Sequence, residues 1–194
     1  MKYALALMII WTGAAQAAPA PERPPLVPAR EASVLYRLTQ PGTPATEIRV
    51  TARAGDAALR IDMADRTYML LDPPGKRMTM VAPDEETALE LPYQIDAAGP
   101  FRLDERMRFT KRAGETVAGV RCTVWDVALN KARGSVCVSE DGVLLRSSAT
   151  DGAGRRTLIE AVSVSYAPAP PGEFDPPPGY DRMVATPNGP VRQP

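Results

Sequence analysis

The sequence predicts a mainly β protein: a strongly curved antiparallel sheet or unclosed β-barrel with a short helical lid. Three observations predict it. Apolar residues recur with a period of two through the middle of the chain, the mark of strands with one buried face. Short turn signals separate these runs, and short connections make neighbouring strands antiparallel. A single stretch carries a helix-start signal. A two-sheet sandwich is the other arrangement compatible with roughly eight to ten such strands.

Taken in order, Val34, Tyr36 and Leu38 alternate with Leu35 and Arg37, and Ile48, Val50 and Ala52 alternate with Glu47, Arg49, Thr51 and Arg53. Leu59, Ile61 and Met63 alternate with Arg60 and Asp62. The runs 67–71 and 77–81 are joined by Asp72-Pro73-Pro74-Gly75, in which Pro fixes one dihedral and Gly supplies an unusual one. Pro83, Asp84, Glu85 and Glu86 place a proline and acids where a helix first turn favours them, and Pro92 stops the run. A break at Gly99-Pro100 follows, so 83–104 is an excursion between strand groups, either a lid or a plain crossover. Beyond it, strands are predicted over 117–129, 135–139, 143–150 and 156–166, with turns at Glu140-Asp141-Gly142 and Asp151-Gly152-Ala153-Gly154.

The ends differ from the middle. Lys2, an uncharged apolar run from Tyr3 to Trp11 and the small residues Ala15 and Ala17 read as a secretory signal peptide over 1–17, cut after Ala17. That run is too short to span a bilayer as a helix, and no other stretch is long and apolar enough to do so. The expectation is therefore an exported protein, periplasmic if the source is Gram-negative, with no transmembrane segment in the mature chain. Five prolines crowd 18–30, marking a semi-rigid linker, and nine lie in 167–194. The β domain is placed at 31–182 and a flexible tail at 183–194. Cys122 and Cys137 are the only cysteines. An even pair in an oxidising compartment is expected to form a disulfide, here stapling two adjacent strands around Asn130.

Composition excludes several functions. Lys and Arg number 23, Asp and Glu 23, and His is absent. A balanced charge gives no basic footprint for nucleic acid. Without His there is no Ser–His–Asp or Cys–His nucleophile. Asp62, Asp65, Asp72, Asp126 and Asp141 are acid–base candidates by type alone, and most occupy turns where Asp serves turn geometry. A non-enzymatic protein without cofactor is expected. Met78 and Met80 point to one side of a strand, with Met63 and Met69 on strands near by, so thioether binding of Cu(I) is a third possibility. The same methionines, together with Tyr68, Tyr93, Phe101, Met107 and Phe109, form a soft apolar set around the excursion. Such a set suits either an ordinary core or a cavity for alkyl chains.

Several segments carry a resemblance. They are Leu59-Arg60-Ile61-Asp62, then Leu71 to Met78, Gly119 to Trp125, Asp141 to Arg146 and Phe174 to Tyr180. In this order, behind a signal peptide, the chain resembles the LolA/LolB-like superfamily of periplasmic lipoprotein carriers. The resemblance implies an unclosed, curved antiparallel barrel with a lid and an apolar cavity for a lipid or acylated ligand. It casts Met78, Met80, Met107, Phe109 and Trp125 as cavity walls, and with Met63, Tyr68 and Phe101 of the soft apolar set they make up the cavity candidates. Strand alternation sets Trp125 on the face opposite Cys122, so only one of them lines that cavity. The proline-broken lid and the absence of a cysteine beside the cleavage site depart from the family. Docking to another envelope protein through a filled core is the alternative role.

Overall fold

The computed structural model describes residues 22–63, 65–94, 98–130, 132–150, 152–187 and 189–192. The expected signal peptide at 1–17, its cleavage site at Ala17, the start of the linker and the last two residues of the tail lie outside the described residues. Two antiparallel meanders make up most of the fold. The first runs through β1 (Ala32–Thr39), β2 (Thr46–Ala52), β3 (Leu59–Asp62), β4 (Tyr68–Asp72), β5 (Arg77–Ala82) and β6 (Thr87–Leu91). The second runs through β7 (Arg108–Val117), β8 (Val120–Leu129), β9 (Ala132–Ser139), β10 (Leu144–Thr150) and β11 (Arg156–Ser165). Antiparallel pairing of β1 with β11 joins the meanders. β12 (Asp181–Thr186) adds to β6 in parallel and forms a hairpin with β13 (Gly189–Arg192). All 13 strands form one sheet, with β13 and β7 at its edges, so the barrel is not closed.

The sheet curls most strongly through the second meander. β7 approaches β11, although three strands lie between them in the sheet. A flat sheet would hold them about 19 Å apart, at roughly 4.8 Å per strand. The register supplies the cause. Bulges interrupt the β1–β11, β9–β10 and β7–β8 ladders, and bulges bend strands and increase twist. The bulge in β10 lies between Leu144 and Arg146, where Leu144 and Leu145 are both buried in succession and Arg146 then faces outward to pair with Glu115. Strict alternation sends adjacent leucines to opposite faces, as with Leu70 and Leu71 of β4, whereas Leu144 and Leu145 join one cluster.

The core fills the concave face. Ala32, Val34 and Tyr36 of β1 lie centrally, flanked by Val50, Leu59, Ile61, Leu71 and Met78 on one side and Ile159, Val136 and Trp125 on the other. A second, smaller cluster of Tyr68, Leu70, Val81 and Ala88 lies on the convex face beneath Tyr180. The proline-rich segment leading to Tyr180 is held there by Glu173 against Arg60 at 3.5 Å and by Phe174 beneath the Arg53 guanidinium at 5.2 Å.

Four expectations are corrected. The helix read at 83–90 is a single 3-10 turn, Pro83–Glu85. Glu86 takes a left-handed φ of 49° and ends it. The alternation of Ala88 with Leu89 and Leu91 then wins, pairing this stretch with β5 as β6. The lid is reduced to a second 3-10 turn, Gly99–Phe101, and the loop that follows it. The strand read at 117–129 begins at Val120 and ends as expected at Leu129, while Val117 closes β7, because Ala118 and Gly119 both take positive φ (48° and 77°), the geometry of a two-residue hairpin turn. β7 escaped notice because nearly all of it is exposed and polar. The tail from Met183 is ordered into β12 and β13 rather than frayed.

The described end of the linker is likewise a docked strap. Leu26 packs against the core. The Ala29 N–H donates to the Asp141 carbonyl at 2.8 Å, and the Gly55 N–H donates to the Pro28 carbonyl at 3.0 Å. Arg30 pairs with Asp141 at 2.5 Å and stacks on Tyr166 at 3.5 Å.

Cys122 and Cys137 form the expected disulfide, with Sγ–Sγ 2.09 Å and Cα–Cα 5.5 Å. It links β8 to β9 diagonally, since Cys122 opposes Ser139 and Cys137 opposes Val124. Two predictions follow from this framework. Cys122→Ser/Cys137→Ser will cost about 3 kcal/mol through the released 15-residue loop, lowering Tm by roughly 6–12 °C in a scanning calorimeter. Gly142 has φ +86°, and a Cβ there would meet the Val27 carbonyl oxygen at 2.5 Å. Gly142→Ala will therefore cost about 1–3 kcal/mol and loosen the strap, read as faster limited proteolysis between residues 22 and 30.

Candidate functional site

The curl of β8–β11 leaves an apolar hollow on the concave face. Alternation brings Trp125, Val127 and Leu129 of β8 to that side, with Val136 opposite Trp125 and Ser147 opposite Val136. Ala149 and Thr157, which oppose each other, continue the row. The segment after the second 3-10 turn crosses over this surface and covers it with Leu103 and Met107. A tight turn positions that cover. The Asp104 carboxylate accepts the Arg106 N–H at 2.8 Å, and the Met107 N–H donates to the Asp104 carbonyl at 3.0 Å. Arg106 also grips the Asp104 carboxylate through its guanidinium at 2.5 Å, and this pairing holds the Asp104 carboxyl below the usual carboxylate range.

Between cover and sheet is a cavity of about 330 Å³, lined mainly by Leu103, Met107, Val127, Leu129, Val136 and Ala149. Gln40, Arg102, Arg133, Ser147 and Thr157 contribute its polar lining. The centre of the concave face is filled. Phe101 packs on Tyr36 with ring centroids 5.4 Å apart, and Leu26 and Pro28 of the strap press in beside them, leaving about 40 Å³. The Tyr36 hydroxyl donates to the Leu144 carbonyl at 2.5 Å, and burial pushes the Tyr36 phenol well up. Past Trp125 the face opens again into a shallower, more polar hollow of about 520 Å³ bounded by Pro25, Thr123 and Val138.

The structure brings together only part of the predicted set. Met107 lines the 330 Å³ cavity. Phe101 plugs the centre of the concave face against Tyr36 and is not among the residues that line this cavity. Trp125 and Phe109 stand edge to face at 6.4 Å, with Phe109 opposite Val127 on the concave side. Met63, Met78, Met80 and Tyr68 lie in the first meander, away from the cavity. Met78 is buried in the core opposite Leu71, Met80 opposes Met69, and Met63 follows β3 with its N–H donating to Thr67. Tyr68 is on the convex face with the Arg60 guanidinium 3.8 Å over its ring, because Met69, not Tyr68, opposes the inward Ile61. Alternation does set Cys122 and Trp125 on opposite faces. The disulfide leaves neither cysteine free for a metal, and no group of three or more His, Cys, Asp or Glu able to hold an ion occurs among the described residues.

The residues that sequence reading missed are Leu103, Val127, Leu129, Val136 and the two arginines. Val127 and Leu129 continue the alternation of Trp125 along one strand, a signal available in the sequence. Leu103 and Arg102 carry none, because they act through a loop.

No family profile matches the sequence, and no curated protein matches it. Solved structures do match the fold. One is MucB, with a TM-score of 0.53 at 13% identity, covering 82% of this chain and 62% of MucB. A structure of MucB in complex with MucA(peri) matches with a TM-score of 0.47 at 14% identity, covering 72% of this chain and 51% of that one. A LolA superfamily protein from Nitrosomonas europaea matches with a TM-score of 0.38 at 12% identity, covering 78% of this chain and 91% of that protein. At these identities the likeness is one of fold: the chain shares the fold of MucB and spans 62% of that chain.

Several carboxylates are held low by paired arginines. Hydrogen bonding from Arg53 lowers Asp56, from Arg77 lowers Asp72 and from Arg106 lowers Asp104. For Asp141, burial pushes upward, but hydrogen bonds from Ser139 and Arg30 outweigh it and the net direction is down. Folded values below the unfolded value of about 3.9 give stability that is fully present above that pH and is lost as pH falls through the folded values. Urea unfolding from pH 7 to pH 2 will show a level plateau down to about pH 4 and a steady decline below it. A decline beginning near pH 6 would contradict this assignment.

Proposed function

We propose that the protein is an exported, non-enzymatic carrier that holds the alkyl chain of a lipid or acylated ligand in the concave cavity under Leu103 and Met107. The observation that carries this reading is the cavity itself. It is apolar, it measures about 330 Å³, and it lies between the sheet and a short covering loop. An apolar cavity of about 150 Å³ stays dry and takes up benzene, and a hollow of twice that size has room for an alkyl chain. Export is supported by the signal-peptide pattern at 1–17 and by the disulfide, which suits an oxidising compartment. The LolA-like fold agrees with a binding role at the level of architecture.

The second reading, a module that docks a partner protein, is favoured by the filled centre around Tyr36 and Phe101. Both sheet edges count against docking by strand addition. β7 carries a bulge and the charges Arg108, Lys111, Arg112 and Glu115, and β13 is four residues long with Pro190 in it. Such features blunt an edge. Native mass spectrometry of protein recovered from a periplasmic extract, followed by organic extraction, separates the readings. The expected result is a chain beginning at Ala18 with an extractable alkyl ligand, and loss of that ligand in Ala149→Phe, which fills the hollow. A bare mass, together with no uptake of added lipid, would sink the carrier reading.

A further inference from the structure

We infer that the convex face of the second meander docks on the surface of an anionic phospholipid bilayer, through a row formed by Arg108, Arg133 and Arg156, whatever the cavity holds. Register builds the row. Arg108 of β7 opposes Ala128 of β8, and Ala128 opposes Arg133 of β9. Arg133 opposes Thr150 of β10, and Thr150 opposes Arg156 of β11. Residues that oppose one another across a ladder share a face of the sheet. Ala128 alternates with Val127 and Leu129, which line the hollow, so this row is on the other, convex face. Arg133 borders the hollow as well, but its side chain goes with Ala128 rather than with Val136. Successive arginines are two strands apart, about 10 Å at roughly 4.8 Å per strand.

The charge of this row is not cancelled. Arg108, Arg133 and Arg156 are exposed, as is Thr150. None of these arginines forms an ion pair with another described residue. The Arg156 Nε donates to the Ser148 hydroxyl at 2.9 Å, which lays the side chain across the sheet and leaves its charge uncompensated. In the next row, Asp126 is already engaged by Arg112, whose Nε donates to it at 2.8 Å. Farther along the same face the charges pair off: Arg146 with Glu115 and Glu160, and Arg37 with Glu47. Lys131 and Asp151, of opposite charge, lie outside the described residues. The whole chain balances 23 basic against 23 acidic residues, so the row is an uneven distribution of charge and not a general excess.

The make-up of the row selects the partner. Only Ala128 and Thr150 stand between the arginines, and neither is an anchor of the kind that protein interfaces draw on, a large side chain filling a pocket. Adsorption to an anionic bilayer needs no such anchor. Each arginine near the surface strengthens it about fivefold, and the row together about a hundredfold. Val127 and Leu129 face the hollow from the same strand that carries Ala128, so a chain docked in this way holds the hollow one sheet's thickness from the lipid.

The test is co-sedimentation of residues 18–194 with phospholipid vesicles at low salt. Vesicles of phosphatidylcholine with about one phosphatidylglycerol in three are compared with phosphatidylcholine alone. The expected result is binding about a hundredfold tighter to the anionic vesicles, weakening as salt is raised. Arg108→Gln/Arg133→Gln/Arg156→Gln will reduce it to the phosphatidylcholine level. Arg108→Lys/Arg133→Lys/Arg156→Lys keeps the charge and will keep the binding. Arg49→Gln/Arg121→Gln/Arg182→Gln removes the same total charge from exposed positions outside the row and will leave most of the binding in place. Equal binding to both kinds of vesicle, equal loss in the two glutamine variants, or loss in the lysine variant overturns the inference. Polyglutamate bound more tightly than the vesicles, through the same arginines, overturns it too and assigns the face to an acidic protein. None of these readouts depends on whether the cavity holds a ligand.

Discussion

The pairing of β1 with β11 is the constraint on which the rest of the structure depends. Each meander alone is a twisted ribbon with one apolar face and nothing to close against. Their junction places β1, with Ala32, Val34 and Tyr36 buried in a row, between them. Register at that junction is specified strictly, because a one-residue slip would turn every side chain to the other face. Tyr36 would leave both Phe101 and the Leu144 carbonyl. The bulge that absorbs Val162 reconciles the two ladders. It leaves Val162 42% exposed, an apolar side chain in water that the correct register of its neighbours outweighs.

The cavity is a by-product of how the concave face is filled. A sheet this curved encloses more volume than its own side chains occupy. Two irregular segments make up the difference, the strap carrying Leu26 and Pro28 and the loop carrying Phe101 and Leu103. They meet over Tyr36 and pack well there. Toward the β8–β9 and β10–β11 turns only Leu103 and Met107 cover the sheet, and small residues on it, Gly134 and Ala149, leave space beneath them. Gly134 is small for a reason of its own, since a Cβ there would meet the Ser148 carbonyl oxygen at 2.0 Å. Close strand approach and an empty hollow are thus two results of one choice of residue.

The sequence was most readable where burial alternates. Strands such as β1, β3 and β8, and the stapled hairpin of Cys122 and Cys137, follow from period-two patterns that local physics enforces. The segment 87–91 misled because acids and a proline ahead of it imitate a helix start, while its actual partner, β5, is a tertiary matter. β7 and β13 are edge strands whose polar residues answer to solvent rather than to a core, so they carry little pattern. The site divides along the same line. Trp125 lies on β8 and was within reach of alternation, whereas Phe109 and Met107, on and beside the exposed β7, stood out by residue type alone. Leu103 and Arg102 derive their place from a loop fixed by Asp104 and Arg106. Tyr68 and Met80 were grouped with them by composition, which is blind to face in the case of Tyr68 and to the distance between the meanders in the case of Met80.

The junction between the meanders also governs when the molecule becomes a folded object. Ser33 opposes Ser165, so the central ladder closes a loop of more than 130 residues, whereas every other antiparallel contact in the two meanders joins consecutive strands. Hairpins of that local kind form in microseconds, but a contact so distant in sequence carries a large loop-closure cost before any burial rewards it. The two ribbons are therefore free to form early, and the shared core only at the end. For a chain that crosses a membrane unfolded, as the export reading requires, such a topology is well matched. The contact that locks the fold joins residue 33 to residue 165, so the stretch between them stays pliable until both ends of it have passed through.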